Sequence, residues 1–261
     1  MLSVTPAPRE GPTMARPTIF AHRSAHFSIA LIAAFALACV DDPDAEDIDE
    51  GGTNDTAETG PDPEAACLPC DADPDAGADP FADCVPVFEP AAATVEAGGW
   101  NHDQLPDIVL GPPGGTLDTL SLGCGGVIVL GFQGAGIVDG PGPDFIVFEN
   151  PFDASFPEPM VVEVSADGCE WFAYACDPLA PADSDCAGAT PVAATPGSDI
   201  DPTDPELAGG DAFDLADVGL EQAFFVRLSD RSEATWDAQY CDPGQAGKGG
   251  ADLDALASVH G

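Results

Sequence analysis

The chain has 261 residues, 47 of them acidic and 6 basic, for a formal net charge of −41. So negative a surface makes nucleic acid and anionic lipid poor partners, since both are bound through basic patches. It also leaves few cations for internal ion pairs, so an acid inside apolar sequence needs some other explanation.

The first element is the apolar run 27–38 (FSIALIAAFALA), which follows Arg16, His22 and Arg23. A basic start, an apolar stretch short of the roughly 20 residues that span a bilayer, and small residues before a cut make residues 1–38 a secretory signal peptide. Met14 serves as an alternative start, because residues 1–13 add nothing that a signal needs. Ala36-Leu37-Ala38-Cys39 has the form of a bacterial lipobox, which would make Cys39 the lipidated first residue of the mature protein; Ala36-x-Ala38 would suit ordinary signal peptidase equally. The expected address is therefore the cell envelope or outer surface, with membrane contact only through an N-terminal lipid.

Of the nine cysteines, the eight after Cys39 form an even set, which in an exported chain reads as a disulfide framework. Cys67-Leu-Pro-Cys70 has redox or zinc spacing, but no second such pair and no nearby histidine completes a site. Cys67 and Cys70 could instead bridge between chains. The pairing read from spacing is Cys176–Cys186, closing a loop rich in Pro and Asp. Only Glu10 of the acids and Arg9, Arg16 and Arg23 of the bases precede Cys39, so 46 acids face 3 bases in the chain from Cys39 onward. That balance suits solubility in a salty medium, and it suits divalent cations, which take clusters of carboxylate oxygens.

Residues 39–90 read as a disordered acidic tether. Its stretch 41–84 holds 16 acids, no base and the single aromatic Phe81, too little apolar area to offset chain entropy. Between Cys70 and Cys84, Asp71, Asp73, Asp75 and Asp79 fall at calcium-loop positions 1, 3, 5 and 9. Ala76 and Ala82 replace the required Gly and Glu, so a solvated spacer is the better reading.

Residues 91–261 alternate short apolar runs with Gly, Pro and Asp and read as one β-sandwich domain. Strands are predicted at 107–110, 117–122, 127–132, 144–148, 160–165, 170–174, 223–228 and 252–259. Asp167-Gly168 marks a hairpin turn between two of them, and AFDLADVGLEQA holds a helical turn at most. The class expected is all-β and antiparallel.

The segments PDIVLGPP (106–113), LSLGCGGVIVLGF (120–132), GPGPDFIVFENPF (140–152), EVSADGCEWFAY (163–174), AGGDAFDLADVGL (208–220) and ADLDALASVHG (251–261) together resemble bacterial cell-surface proteins and lipoproteins with galactose-binding-like jelly rolls of the discoidin and carbohydrate-binding-module type. The resemblance covers about residues 93–261. It implies a jelly roll and a surface address, and often a structural calcium, but no reaction. Cys124 departs from it, standing where a small, non-bridging residue is expected.

The candidate metal ligands are Asp139, Asp144, Glu149, Asp211, Asp214, Asp252 and Asp254. They bracket or interrupt strands read as buried, where salt bridges cannot satisfy them all. Two readings stand: a calcium held by some of them, or turn formers bonding local amides. The run 199–206, with four acids, reads as a solvated loop. Trp100, Trp236 and Tyr240, in loop-like sequence, either stack on a glycan or cap the sandwich core. His102 and His260 are the histidines after Cys39 and lie in no metal or catalytic motif; no nucleophile elbow or nucleotide loop is present. The function expected is a non-enzymatic binding or structural role at the envelope, toward a glycan or surface protein. The alternatives are a carbohydrate-binding adhesion module and a two-carboxylate hydrolase.

Overall fold

The computed structural model describes residues 67–70, 79–97, 106–115, 118–149, 156–235, 241 and 249–261. Apart from the short helix α1 (Ala92–Ala97) and four single 3-10 turns, the elements are strands, all paired antiparallel. They are β1 (Cys84–Glu89), β2 (Leu120–Ser121), β3 (Val127–Gly131), β4 (Ile137–Val138), β5 (Phe145–Glu149), β6 (Met160–Ser165), β7 (Phe172–Ala173), β8 (Cys186–Ala187), β9 (Asp211–Phe213), β10 (Gln222–Ala223), β11 (Phe225–Asp230) and β12 (Asp252–Ser258). The fold is all-β. Among the described residues no helix is long and apolar enough to cross a membrane.

One sheet runs β1-β3-β11-β6-β7, with β8 also on β6; the other runs β2-β12-β5-β9, and β10 pairs with β4. Ile128 and Leu130 of β3, Val162 and Val164 of β6, and Val226 and Leu228 of β11 pack against Phe145, Val147, Phe213, Leu253 and Leu256 in one shared core. This alternation is what a half-buried strand requires. The β5 strand, FIVFE, is buried at every residue because its sheet is covered on both faces. Ile146 and Phe148 point away from the shared core into a second cluster with Phe81, Ala194, Ala208, Ala255 and Ala257.

A bulge gives β12 its pattern. Its register against β5 shifts between Leu253 and Ala255. Without the extra residue, Leu253 and Leu256 would lie on opposite faces; with it, both enter the shared core. Asp254 sits at that irregularity.

Several expectations need correction. Strand β1 pairs with β3, and Phe81 bridges to Ala257, so the folded region starts before residue 91 and takes in part of the stretch read as tether. Pro86 within CVPVFE hid this strand, because a proline inside an apolar run argues against a strand unless it lies at an edge, and β1 is the edge strand of its sheet. The predicted strand 107–110 is a 3-10 turn, Asp107–Val109, as suits a segment with Pro106 before it and Pro112-Pro113 after it. The segment 170–174 keeps only two residues in strand β7.

The described cysteines form four bridges: Cys67–Cys169, Cys70–Cys84, Cys124–Cys241 and Cys176–Cys186. Cys67 and Cys70 therefore bond within the chain and not between chains. The turn after β6 is longer than a two-residue hairpin. Ser165 Oγ accepts the amides of Asp167 and Gly168, and Asp167 accepts those of Cys169 and Glu170. Gly168 has φ 76° there, a left-handed value that glycine adopts without strain.

Candidate functional site

Register brings four strand ends to one end of the sandwich. Glu149 closes β5 and Asp252 opens β12 in one sheet; Asp230 closes β11, and Glu158 lies two residues before β6, in the other. All four side chains are buried, Glu149 and Asp230 completely.

Three consecutive backbone amides serve three of these acids. Gly250 N–H donates to Glu158 Oε1 (2.8 Å), Ala251 N–H to Asp230 Oδ2 (2.8 Å) and Asp252 N–H to Glu149 Oε1 (3.2 Å). Asp230 is otherwise saturated, taking Gly125 N–H, Ser232 N–H and the Ser232 hydroxyl. The Ser121 hydroxyl donates to Asp252 Oδ1. Glu149 Oε2 is buried and has no hydrogen-bond partner.

Burial pushes every one of these carboxyl groups above its ordinary range. For Glu158 burial, followed by the charges of Glu149, Asp252 and Asp230, raises the pKa to about 10. Burial, opposed by the Ser121 bond and helped by Asp230, takes Asp252 to about 6. Glu149 is raised well above its usual value, first by burial and then by Asp252, Asp211 and Asp230. Among the described residues the ion pair is Arg227 with Glu163, and His260 Nε2 lies 4.0 Å from Asp144 Oδ1. Neither involves this group.

The remaining acids named from the sequence lie elsewhere. Asp139, Asp144 and Asp214 bring one oxygen each within 4.8 Å of one another. Asp144 is fully buried and its two oxygens accept Gly140 N–H and Leu215 N–H, both at 2.7 Å, while Asp214 accepts the amide of Ala216. Those bonds close the Gly-Pro-Gly-Pro loop and cap a 3-10 turn, so turn formation accounts for both residues. Asp254 accepts the amides of Gly114 and Gly115, and burial raises it to about 6. Asp211 accepts those of Gly188, Ala189 and Thr190 and is raised by burial. In the run 199–206, Asp201 and Asp204 cap exposed turns.

The seven candidate ligands thus do not form one centre. Glu149 and Asp252 come together with Glu158 and Asp230, which sequence reasoning missed. The signal was present for Asp230, an acid closing an apolar strand as Glu149 does. Cys39, Trp100, Trp236 and Tyr240 lie outside the described residues.

Clefts open on the described surface away from these acids. One of about 340 Å³ is lined by Asp79, Asp83, Gln133, Thr203, Ser258 and neighbours. Another, about 270 Å³, lies between Pro112-Pro113 and residues Ala194–Ser198. None of the four buried acids lines either. Compared with models of protein families, with curated proteins and with solved structures, the chain matches none.

Proposed function

We propose that the chain is an exported bacterial cell-surface lipoprotein. Its β-sandwich, of the galactose-binding-like jelly-roll type, has a binding or structural role at the envelope and is not an enzyme. The observation that carries this reading is the cysteine pairing. Eight of nine cysteines satisfy one another in four bridges, which belong to an oxidising compartment, and the ninth is Cys39 of the lipobox. The acid excess supports a module that stays soluble at a salty exterior.

A polar ligand such as an envelope glycan would find its place in the larger cleft, where Gln133, Thr203 and Asp83 supply polar groups. The buried carboxyls raised toward neutral pH, Asp252 and Asp254, line neither cleft, which weighs against their use as a general acid.

The test is fractionation of the full chain expressed in a bacterial host, beside Cys39→Ala. The parent should travel with membranes, oxidised, and the variant should be exported but released. Parent protein found in the cytoplasm with free thiols would defeat the reading. A glycan array probed with the oxidised protein then separates binding from a purely structural role.

A further inference from the structure

We propose that the ligand of the larger cleft carries a protonated primary amine, which the cleft recognises through its two carboxylates. The inference rests on the reading of that cleft as the binding place and names the chemistry it selects; the lipid anchor does not enter it.

Residues 79–83, 132–136 and 258–261 meet around this cleft of about 340 Å³, with Thr203 beside them. Paired backbone holds them there. Phe81 bridges to Ala257, the Asp83 amide donates to the Gly131 carbonyl at 2.8 Å, and the Ser258 amide donates to the Pro80 carbonyl.

What this lining can donate is already spent. The amides of Phe132, Gln133, Gly136, Thr203, Ser258 and Val259 all donate inside the protein. The Ser258 hydroxyl donates to the His260 carbonyl and the Thr203 hydroxyl to Asp201 Oδ1, both at 2.8 Å. The Gln133 side-chain amide faces Cys70 Sγ at 3.7 Å. Acceptors are in excess. Asp79 takes the Phe81 amide at 3.0 Å and Asp83 takes the Gln133 amide at 2.7 Å, bonds that orient two groups which accept and never donate when ionised. Among the described residues no Lys, Arg or His lines the cleft.

The ligand has to be the complement of that lining. An anion needs donors that are used up here, and a neutral polyol leaves water without gaining partners for its own oxygens. An ammonium group is all donor and brings the charge that two carboxylates lack, so its hydrogen bonds are charge-assisted. Pro80, Phe132 and Val259 add apolar wall for the carbon skeleton beside the amine. A lysine side chain, an amino sugar and a free diamine share this chemistry.

The test is an NMR titration of the full oxidised chain in about 0.15 M sodium chloride, where longer-range attraction to the acidic surface is screened. The probes are cadaverine, glucosamine and the lysine derivative blocked at its α-amine and carboxyl, each beside its acetylated form, with glucose as a neutral control. The amines should shift the Gln133, Ala135 and Thr203 amides saturably, and acetylation should weaken binding about tenfold. The amine that binds tightest identifies the source. Asp79→Asn/Asp83→Asn should lose affinity by a similar factor. Asp177→Asn/Asp183→Asn, which removes the same charge from the Cys176–Cys186 loop, should not. Should the first variant fail to fold, Ala135→Trp takes its place, adding bulk at the lining without changing charge, and should abolish the shifts. Equal losses in the two double variants, or shifts that persist in Ala135→Trp, would assign binding to the general negative field and overturn the proposal. Acetylated probes and glucose binding as well as the amines would overturn it too, while leaving the cleft a site for polar ligands. No shift at the cleft with any probe would end both readings.

Discussion

Glu149 and Asp252 meet across β5 and β12 with the Asp252 amide on one carboxylate oxygen of Glu149 and nothing on the other. The pairing places two acids at the junction of the sheets, where Asp230 and Glu158 arrive from the opposite layer. An apolar quartet would be the simpler solution for a buried sandwich end. The carboxylates make stability at this end depend on solution conditions.

The first dependence is on pH. A carboxyl whose folded pKa lies above its unfolded value holds its proton more tightly in the native state. Its contribution is full below the unfolded pKa and is lost as pH rises through the folded one. Asp252 and Asp254, each raised from 3.8 to about 6, set a first window between pH 4 and 6. Glu158, raised from 4.5 to about 10, extends the loss toward alkaline pH. In EDTA, urea midpoints should fall from pH 4 to pH 8, with Asp252 alone contributing on the order of 3 kcal/mol. A midpoint that climbs steadily with pH in EDTA would contradict the burial of these groups.

Glycine substitutions separate loop strain from loop contact. Gly250 and Gly142 both have left-handed φ, 97° and 87°. A Cβ at Gly250 meets the backbone of Gly123 and Cys124, whereas at Gly142 nothing lies within 4 Å. Gly142→Ala should cost about 1 kcal/mol, the conformational penalty alone. Gly250→Ala should cost at least twice that, since the added Cβ meets backbone atoms that have no rotamer to move into. Equal costs in denaturant titrations would show that the close approach of the two loops is absent.

The bridges should differ by the chain they close. Cys124–Cys241 spans 117 residues and Cys176–Cys186 spans 10. In the chain-entropy account, replacing the first pair by serine should cost about 5 kcal/mol and the second about 3. A fragment starting at residue 86 would lose Cys67, Cys70 and Cys84, breaking two bridges and shortening β1, and should be markedly less stable than the full chain.

Arg227 offers a local test of the outer sheet face. Its guanidinium makes a forked pair with Glu163, both contacts 2.6 Å, and stacks 4.3 Å from the Trp171 ring. Arg227 and Glu163 are partly exposed, so Arg227→Ala should cost only about 1–2 kcal/mol. Arg227→Lys should recover less than half of that, because an ammonium neither forks nor stacks. Identical midpoints for the two variants would show that the fork and the stacking contribute nothing beyond charge.

By itself the sequence determined what depends on neighbours along the chain. Alternating and apolar runs located β3, β5, β6, β11 and β12, the turn after β6 was legible in Asp167-Gly168, and Glu149 and Asp252 stood out as acids in buried strands. Tertiary structure alone decided the rest. The two-residue strands β4, β8 and β10 have too few residues to carry a period and exist only through their partners. Strand β1 and two of the four bridges, Cys67–Cys169 and Cys124–Cys241, depend on segments far apart in the chain. The bulge at Asp254 sets which leucines of β12 face the core, a property of register against β5 and not of composition. Glu158 and Asp230 join Glu149 and Asp252 for the same reason. Strand pairing, made between residues as far apart as Leu120 and Leu253, carries four separate carboxylates to one buried end, and no local pattern records where a strand will find its partner.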